Sequence, residues 1–443
     1  MNTPLANAES SVRVPRNGLL SSFLFPLLLI SLPSGTLALG QVAGANIQYW
    51  EVLTIAMLAS ILVKTWMGQG GFILNREAML LGSLFLLVAY TSALGALSAS
   101  LWFKQSLLLT AMMLVFWLTA HRFDRSHMEY IPRLIIYPGL LVALWGVAEI
   151  VLNPGKLSTF SMGLVALPRA QSVFNEPNEL SQYLSLPFAF TYASLIYNRK
   201  IRVWEKGVFL LVLFVLIFTQ ILTFSRGGIL AFFGVLLAWS VLVLLIDISR
   251  IYFNMLRFGL VLILLIGAIV GLARWYPDIG DILQGLTVRL EYLLKGGSAD
   301  ATVSTRLVTM YHALERVEKS TWAALFGMGF GNLPVVLGEN IANTGNMLTD
   351  ILAETGMMGL AVFCVIIFTY MIKPFTVMRE YYRQRDSAML AMSMGAYLAM
   401  VGMIAGGQTS PTHMLVMFWF NLGLLAALSQ YSHVMATEGG TLR

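Results

Sequence analysis

Long apolar runs separated by shorter polar segments dominate the chain. A helix needs about 20 apolar residues to cross a bilayer, and twelve runs come close to or exceed that length. They lie at 19–39, 50–66, 78–98, 103–120, 133–152, 179–197, 207–224, 228–248, 257–275, 347–372, 387–405 and 412–430. The pattern predicts an all-α, polytopic membrane protein with about twelve transmembrane helices, folded as a single transmembrane domain over 1–443.

The composition agrees with this prediction and excludes two classes of protein. Hydrophobic residues make up 58% of the 443 residues and charged residues only 11%, whereas about a quarter of a soluble chain is charged. Twelve spans leave no room for an extramembrane catalytic domain or a nucleic-acid-binding domain, so nucleic acid is not an expected partner. The net charge of +6 is then attributed to basic residues in the loops that set the orientation of the spans in the membrane. The single cysteine, Cys364, excludes an intramolecular disulfide.

The distribution of Lys and Arg predicts the orientation of the chain. The short loops 40–49 and 405–412 carry no Lys or Arg, whereas 199–206 and 373–385 carry four each. Because basic residues are retained in short cytoplasmic loops, both termini are predicted to be cytoplasmic. Two longer loops, 153–178 and 276–346, are then expected on the outer, periplasmic side.

The second half of the loop 276–346, between predicted helices 9 and 10, carries a helical pattern. Five apolar residues recur at helical spacing, while a second face is more polar. The apolar positions are Leu307, Met310, Tyr311, Leu314 and Val317, and the second face holds Arg306, Thr309, Ala313 and Arg316. We expect an amphipathic helix that lies flat on the outer membrane surface and caps a cavity between the spans.

The polar turn between two long spans at Thr223–Gly228 is a candidate anion site. Ser225 suits the N-cap of the following helix, which leaves Arg226 in the first turn, where the helix dipole disfavours a cation. An arginine at that position suggests a bidentate clamp for phosphate, assisted by the exposed helix N–H groups. The alternative is an interfacial arginine that snorkels to lipid headgroups. The sequence leaves both interpretations open.

Two further polar segments precede spans. Pro177 suits the first position of a helix, so Glu176 falls at its cap, either as a simple stabiliser of the helix end or as a base at the edge of an outer cavity beside Arg169. Asn346 lies in the segment that opens the tenth span, where capping is the simpler explanation. Of the two histidines expected on the outer side, His312 and His413, an ordinary interfacial role is the commoner interpretation.

Taken in order, these segments resemble the O-antigen polymerase and O-antigen ligase superfamily of bacterial inner-membrane glycosyltransferases. The resemblance covers about 169–360 and depends on the order of the motifs. These are an arginine followed by Phe174-Asn175-Glu176-Pro177-Asn178, then Thr223-Phe224-Ser225-Arg226-Gly227-Gly228, then Ser304-Thr305-Arg306-Leu307, Phe326-Gly327-Met328-Gly329-Phe330-Gly331-Asn332, Asn346 and Ala353-Glu354-Thr355-Gly356-Met357-Met358-Gly359.

The resemblance implies transfer of a glycan from a polyisoprenoid pyrophosphate to a hydroxyl at the periplasmic face, with inversion of the anomeric carbon. Polymerases use a second lipid-linked repeat unit as the acceptor, and ligases use the lipid A core of lipopolysaccharide. Ligases usually carry a histidine just before the asparagine at Asn346, and here that position is Gly345. This departure favours a polymerase of O-antigen or exopolysaccharide. A ligase is the alternative, and a polytopic transporter or flippase is a further one.

Negative charge grows on the departing pyrophosphate, so fixed cations there lower the barrier. We assign catalytic roles to Arg226, Arg306 and Glu176, with Glu176 as the base. Pyrophosphate or glycan binding is assigned to Arg169, Arg289, Ser225, Asn178, Asn346 and to His413, which is also the reserve base. No metal or cofactor is expected. The expected partners are the lipid-linked donor and acceptor, membrane lipids and a chain-length regulator.

Overall fold

The computed structural model describes residues 19–33, 38–42, 45–67, 75–121, 125–162, 165–246, 259, 301–338 and 341–439. Within these ranges the chain forms fourteen α-helices. They are α1 (Leu19–Ser31), α2 (Tyr49–Trp66), α3 (Arg76–Thr91), α4 (Ala99–Thr119), α5 (Arg125–Leu152), α6 (Pro177–Tyr197), α7 (Val203–Leu222), α8 (Arg226–Ile246), α9 (Ala301–Glu318), α10 (Thr321–Phe326), α11 (Leu333–Leu337), α12 (Met347–Arg383), α13 (Ser387–Gly406) and α14 (Val416–Gly439).

Eight of the described helices are long and apolar enough to cross a membrane, which makes the chain a multi-pass membrane protein. They are α2, α3, α4, α5, α7, α8, α12 and α13, and α14 contains a shorter apolar stretch at Val416–Gln430. Helices α1 and α6 also coincide with predicted spans. The predicted run 257–275 lies outside the described residues apart from residue 259. The membrane class is therefore confirmed, while the count of twelve and the cytoplasmic termini stay predictions.

The predicted all-α class is confirmed, and two short antiparallel hairpins are added to the described helices. Strand β1 (Ala38–Val42) pairs with β2 (Ala45–Gln48), and β3 (Thr159–Met162) pairs with β4 (Val165–Pro168). The first hairpin also corrects the first predicted span, because α1 ends at Ser31 rather than continuing to 39. Strands of four or five residues are too short to give a clear alternating pattern, so hydropathy did not reveal them.

Helices α6 and α13 form the centre of the bundle and are buried along most of their length. A small residue allows their close approach, because a Cβ atom at Gly395 would lie 2.7 Å from the ring of Phe190. Membrane helices pack through such contacts between small residues, since lipid and protein are similarly apolar. The central pair fixes where the first turn of α6 lies relative to the loop after α13.

Helix α9 forms where the sequence predicts a helix, and it packs against the protein through residues of both predicted faces. Thr309, Ala313 and Val317 are buried, whereas Leu307 and Tyr311 are 61% and 65% exposed. Ala313 and Val317 pack in a small cluster with residues of α10, α11 and α12. Small side chains bring the helix close to the cluster, while the larger apolar ones face outward. Periodicity identifies an apolar face without saying whether lipid or protein covers it.

Helix α12 is interrupted at Gly356, where φ is 69°. A Cβ atom there would lie 2.4 Å from the backbone carbonyl of Leu325, so the break is also a point of close backbone contact. The carbonyl of Ala353, near the end of the first segment, accepts a hydrogen bond from the Met328 N–H at 2.9 Å. The break therefore brings the start of α12, which carries Asp350 and Glu354, into contact with α10 and with the glycine-containing loop after it.

Candidate functional site

The turn before α8 has the predicted cap. The Oγ atom of Ser225 accepts a hydrogen bond from the Gly228 N–H at 3.3 Å and another from the hydroxyl of Ser181 at 2.8 Å. Arg226 is the first residue of α8 and is only 8% exposed. An arginine that snorkels to lipid headgroups would be exposed, so this burial argues against that alternative.

Arg169 is held against the same turn. Its Nε donates to the main-chain oxygen of Thr223 at 2.8 Å, and its Nη2 donates to Oδ1 of Asn178 at 3.2 Å. The neighbouring Ala170 N–H donates to the Leu222 carbonyl at 3.0 Å. The structure therefore brings the loop before α6, the first turn of α6 and the turn before α8 together, with two predicted arginines at the junction.

Glu149, near the end of α5, anchors the loop before α6, a role that sequence reasoning did not assign to it. Its Oε1 accepts the N–H groups of both Gln171 and Ser172. Ser172 has a positive φ of 56°, and its hydroxyl donates to the carbonyl of Val142 at 2.7 Å. A carboxylate that binds two main-chain N–H groups fixes the path of the loop that carries Arg169.

Glu176 is the N-cap residue of α6 and Pro177 occupies the first helical position, as predicted. Its side chain makes no capping hydrogen bond to any N–H group of the described chain, and the residue is exposed. The neighbouring Glu179 instead accepts the Asn175 N–H at 3.2 Å. The Glu176 carboxylate is thus available for another role, and its stabilisation of the helix is limited to its charge near the dipole.

Arg306 fills the space beside Gly345. Its Nη1 donates to the main-chain oxygen of Thr409 at 2.6 Å. Gly345 has a φ of 79°, and a Cβ atom there would lie 3.0 Å from both Cδ and Nε of Arg306. The arginine therefore occupies the room that a side chain at this position would need. Asn346 caps α12 through the Thr349 N–H at 3.0 Å, as the simpler interpretation of that segment expected.

Thr409 links the two arginine positions. Besides accepting from Arg306, it lies so close to the start of α8 that a Cβ atom at Gly227 would be 2.2 Å from its Oγ1. The loop after α13 thus contacts both the residue after Arg226 and the guanidinium of Arg306. The remaining predicted arginine, Arg289, lies outside the described residues.

A cavity of about 420 Å³ opens beside these elements, and its wall includes Glu176 and His413. Three further carboxylates line it, those of Glu179, Asp350 and Glu354, to which the sequence assigned no role. Among the described residues of the wall there is no Lys or Arg. The structure therefore groups the predicted base and reserve base in an acidic cavity and puts Arg169, Arg226 and Arg306 outside its wall.

Asp350 and Glu354 are one helical turn apart on α12 and are 1% and 6% exposed. The N–H and the hydroxyl of Thr344 donate to Oδ1 of Asp350 at 2.9 and 2.5 Å. Among the described residues, neither Oδ2 of Asp350 nor Oε2 of Glu354 has a hydrogen-bond partner. Sequence reasoning could have found this pair from its i, i+4 spacing at the start of an apolar span.

The expectation that His413 is an ordinary interfacial histidine is wrong. His413 lies in the turn Thr412–Met414 before α14 and is 1% exposed. Neither ring nitrogen has a hydrogen-bond partner within the described part of the chain. Burial lowers the pKa of His413 to about 3, so its imidazole is neutral at physiological pH and has a nitrogen lone pair that can accept a proton.

The fold defines a polytopic helical membrane protein, and comparisons with known proteins add little to that class. No protein-family model matches the chain, and no curated protein matches it. Among solved structures, the chain is similar to one from a peptidoglycan synthase complex in which polymerization and crosslinking are coordinated. The two are 14% identical, the match covers 81% of this chain and 98% of the other, and the TM-score is 0.39. A likeness at this level carries no argument about function.

Proposed function

We propose that the chain is an inverting membrane glycosyltransferase that polymerises O-antigen or exopolysaccharide at the periplasmic face of a bacterial inner membrane. The observation that carries the proposal is the grouping of Arg169, Arg226 and Arg306 around two neighbouring turns, next to a cavity that contains Glu176. The donor is a polyisoprenoid-pyrophosphate-linked glycan, and the acceptor is a sugar hydroxyl of a second lipid-linked repeat unit.

The arginines act on the leaving group. As the bond between the anomeric carbon and the pyrophosphate oxygen breaks, charge grows on the pyrophosphate, and guanidinium groups already in place stabilise it without reorganising. The hydrogen bonds of Arg169 to the Thr223 carbonyl and of Arg306 to the Thr409 carbonyl support this role, because they fix each side chain in advance. Arg289 is proposed as a further contact, and Ser225, Asn178 and Asn346 position these turns around the donor.

Glu176 acts on the acceptor. Its carboxylate takes the proton from the acceptor hydroxyl as that oxygen attacks the anomeric carbon from the face opposite the pyrophosphate, and the carbon is inverted. General-base assistance of this kind contributes about 10²–10⁴ in rate. The absence of a capping bond from Glu176 to the described helix end supports the role. His413 lies in the same cavity wall and is the reserve base, but the burial that lowers its pKa to about 3 also makes it a weaker base than Glu176.

The choice of polymerase over ligase is supported by Gly345. In the family that the chain resembles, ligases carry a histidine at this position, and here Arg306 fills the corresponding space. A ligase acting on the lipid A core is the second candidate. The described part of the loop 276–346 contributes Gly331, Leu333 and Asn343 to the cavity wall, which supports its proposed role as a periplasmic cap.

The test is elongation of a lipid-linked glycan by the detergent-purified protein, with no second compartment and no gradient. We expect longer lipid-linked products from the wild type, none from Arg226→Ala, and normal activity from Arg379→Ala, whose guanidinium stacks on Phe375 in the opposite half of α12. A transporter or flippase would give no products in detergent. In a deletion strain, accumulation of single lipid-linked repeats would support a polymerase, whereas full-length lipid-linked chains would indicate a ligase.

A further inference from the structure

The described wall of the cavity offers no cation to a pyrophosphate. Glu176, Glu179, Asp350 and Glu354 line it without a compensating Lys or Arg among the described wall residues. The negative charges of a pyrophosphate placed there would lie among acidic side chains in a partly desolvated space, where an anion without a cationic partner is costly. The anionic and uncharged parts of the reactants therefore belong in different places, with the pyrophosphate at the arginine-bearing turns.

The cavity also contains hydrogen-bond acceptors that lack donors. Oδ2 of Asp350, Oε2 of Glu354 and Oε1 of Gln105 are buried and have no hydrogen-bond partner within the described chain. Buried polar groups in native proteins are nearly always paired, so each such atom calls for an explanation. Amide and ionised carboxylate oxygens accept hydrogen bonds, a protonated carboxyl also donates one, and a sugar ring presents hydroxyl groups that can do both, or ammonium donors. A bound sugar would supply the donors that these atoms lack.

We infer that this cavity is the acceptor-sugar subsite, and that its carboxylates select a neutral or amino sugar and reject an acidic one. The inference rests on the proposed function and gives the chemical class of its acceptor. A volume of about 420 Å³ lies within the roughly 300–1,000 Å³ of small-ligand sites. Glu176 belongs to the same wall, so a sugar bound there brings a hydroxyl to the proposed base.

The class of sugar that the cavity prefers follows from the acidic side chains in its wall. An ammonium group on the sugar would pair with Asp350 or Glu354 in a charge-assisted hydrogen bond, which is stronger than a neutral one. A uronic acid would add a carboxylate to a wall that already holds four, two of which are almost completely buried. Discrimination therefore depends on the electrostatics of the α12 pair rather than on the shape of the cavity.

The experiment measures direct binding of three probes to the purified full-length protein at neutral pH by saturation-transfer NMR. The probes are glucosamine, glucuronic acid and inorganic pyrophosphate. We expect glucosamine to bind at least about tenfold more tightly than glucuronic acid, since a charge-assisted hydrogen bond is worth at least that factor. Inorganic pyrophosphate should not displace glucosamine. Equal binding of the two sugars, or displacement by pyrophosphate, would overturn the inference without any variant.

Two variants test whether the α12 side chains cause the preference for glucosamine over glucuronic acid. Asp350→Asn combined with Glu354→Gln removes both ionisable carboxyl groups with little change of shape, and it should reduce the preference for glucosamine to about twofold or less. Glu315→Gln is the matched control, because Glu315 is half-buried on α9, outside the cavity wall, and paired with Lys319 at 2.7 Å; it should leave the preference unchanged. An unchanged preference in the folded double variant would assign the selectivity elsewhere and overturn the inference.

Elongation of the lipid-linked donor is measured on the same preparations, which separates the two hypotheses. If the wild type elongates the donor but binds both sugars equally, the acceptor subsite is wrong and the proposed function stands. If it prefers glucosamine in the α12-dependent manner but never elongates any donor, the cavity is a sugar site and the proposed polymerase activity is wrong.

Discussion

The close contact between Gly345 and Arg306 provides a sharp test of the arginine hypothesis. In Gly345→Ala, the new Cβ atom would lie 3.0 Å from both Cδ and Nε of Arg306. That separation is tighter than ordinary carbon contacts, so the side chain of Arg306 must shift by a few tenths of an ångström. Its hydrogen bond from Nη1 to the Thr409 carbonyl, now 2.6 Å, would be lengthened. The substitution therefore displaces a proposed catalytic group without deleting it.

Gly345→Ala has two separate effects, namely strain in the backbone at residue 345 and displacement of the Arg306 side chain. A non-glycine residue at positive φ costs about 1–3 kcal/mol wherever it stands. Displacing Arg306 also weakens a hydrogen bond from a charged donor, whose complete loss would cost about 1.5–3 kcal/mol. If Arg306 has to be in place in the transition state, this second effect appears as a decrease in turnover, with roughly 100-fold as its upper bound.

Gly338→Ala is the matched control. Gly338 also has a positive φ, of 102°, but a Cβ atom added there would have no described atom within 4 Å. Both variants should lower the melting temperature, and only Gly345→Ala should also lower turnover of the lipid-linked donor, by up to the factor above. The double variant Gly345→Ala with Arg306→Ala should have nearly the same turnover as Arg306→Ala alone. Equal turnover in Gly345→Ala and Gly338→Ala, or an active Arg306→Ala, would refute the reasoning.

Four further predictions concern the site and the topology. Glu176→Gln should lose at least about two orders of magnitude in turnover with an unchanged melting temperature, because the carboxylate makes no capping bond to the described helix end; turnover within a few-fold of wild type would exclude Glu176 as the base. Arg226→Lys should fail in the elongation assay if the phosphate contact is bidentate, and full activity would remove that role. Burial lowers the pKa of His413 from 6.5 to about 3, so near pH 6 this histidine is protonated only in the unfolded chain. The free energy of unfolding should therefore fall as the pH drops below 6.5. Denaturation curves of His413→Gln should show a weaker dependence on pH. A topology reporter fused after Lys200 should indicate cytoplasm and one within 296–300 the outer side, and a cytoplasmic signal from the latter would overturn the orientation.

The sequence was sufficient to locate the membrane helices but not to show how they contact one another. Each predicted run within the described residues overlaps a helix, because continuous apolar stretches have no other stable form in a bilayer. Hydropathy could not say that α1 ends at Ser31 or that α9 packs through Thr309 and Ala313. Both outcomes depend on whether protein or lipid covers an apolar surface, and the two are chemically alike.

At the site, local features were predictable and long-range ones were not. The caps at Glu176, Ser225 and Asn346 could be predicted from neighbouring residues, since capping involves three or four consecutive positions. The contact of Arg306 with the Thr409 carbonyl joins residues 103 apart in the sequence, and no local pattern indicates it. The acidic cavity was missed for the same reason, because its carboxylates come from α6 and α12 and become a group only when those helices meet.

Main-chain oxygens help to hold two of the arginines, since Arg169 donates to the carbonyl of residue 223 and Arg306 to that of residue 409. A peptide carbonyl is present whatever amino acid occupies the position. Each of these two contacts with an arginine would therefore survive any change of side chain that left the backbone of the turn in place. Over long divergence, the path of these two turns would be inherited more faithfully than their composition. Proteins that share this arrangement would then be recognised by the similarity of their backbone paths, even where their sequences are no longer similar.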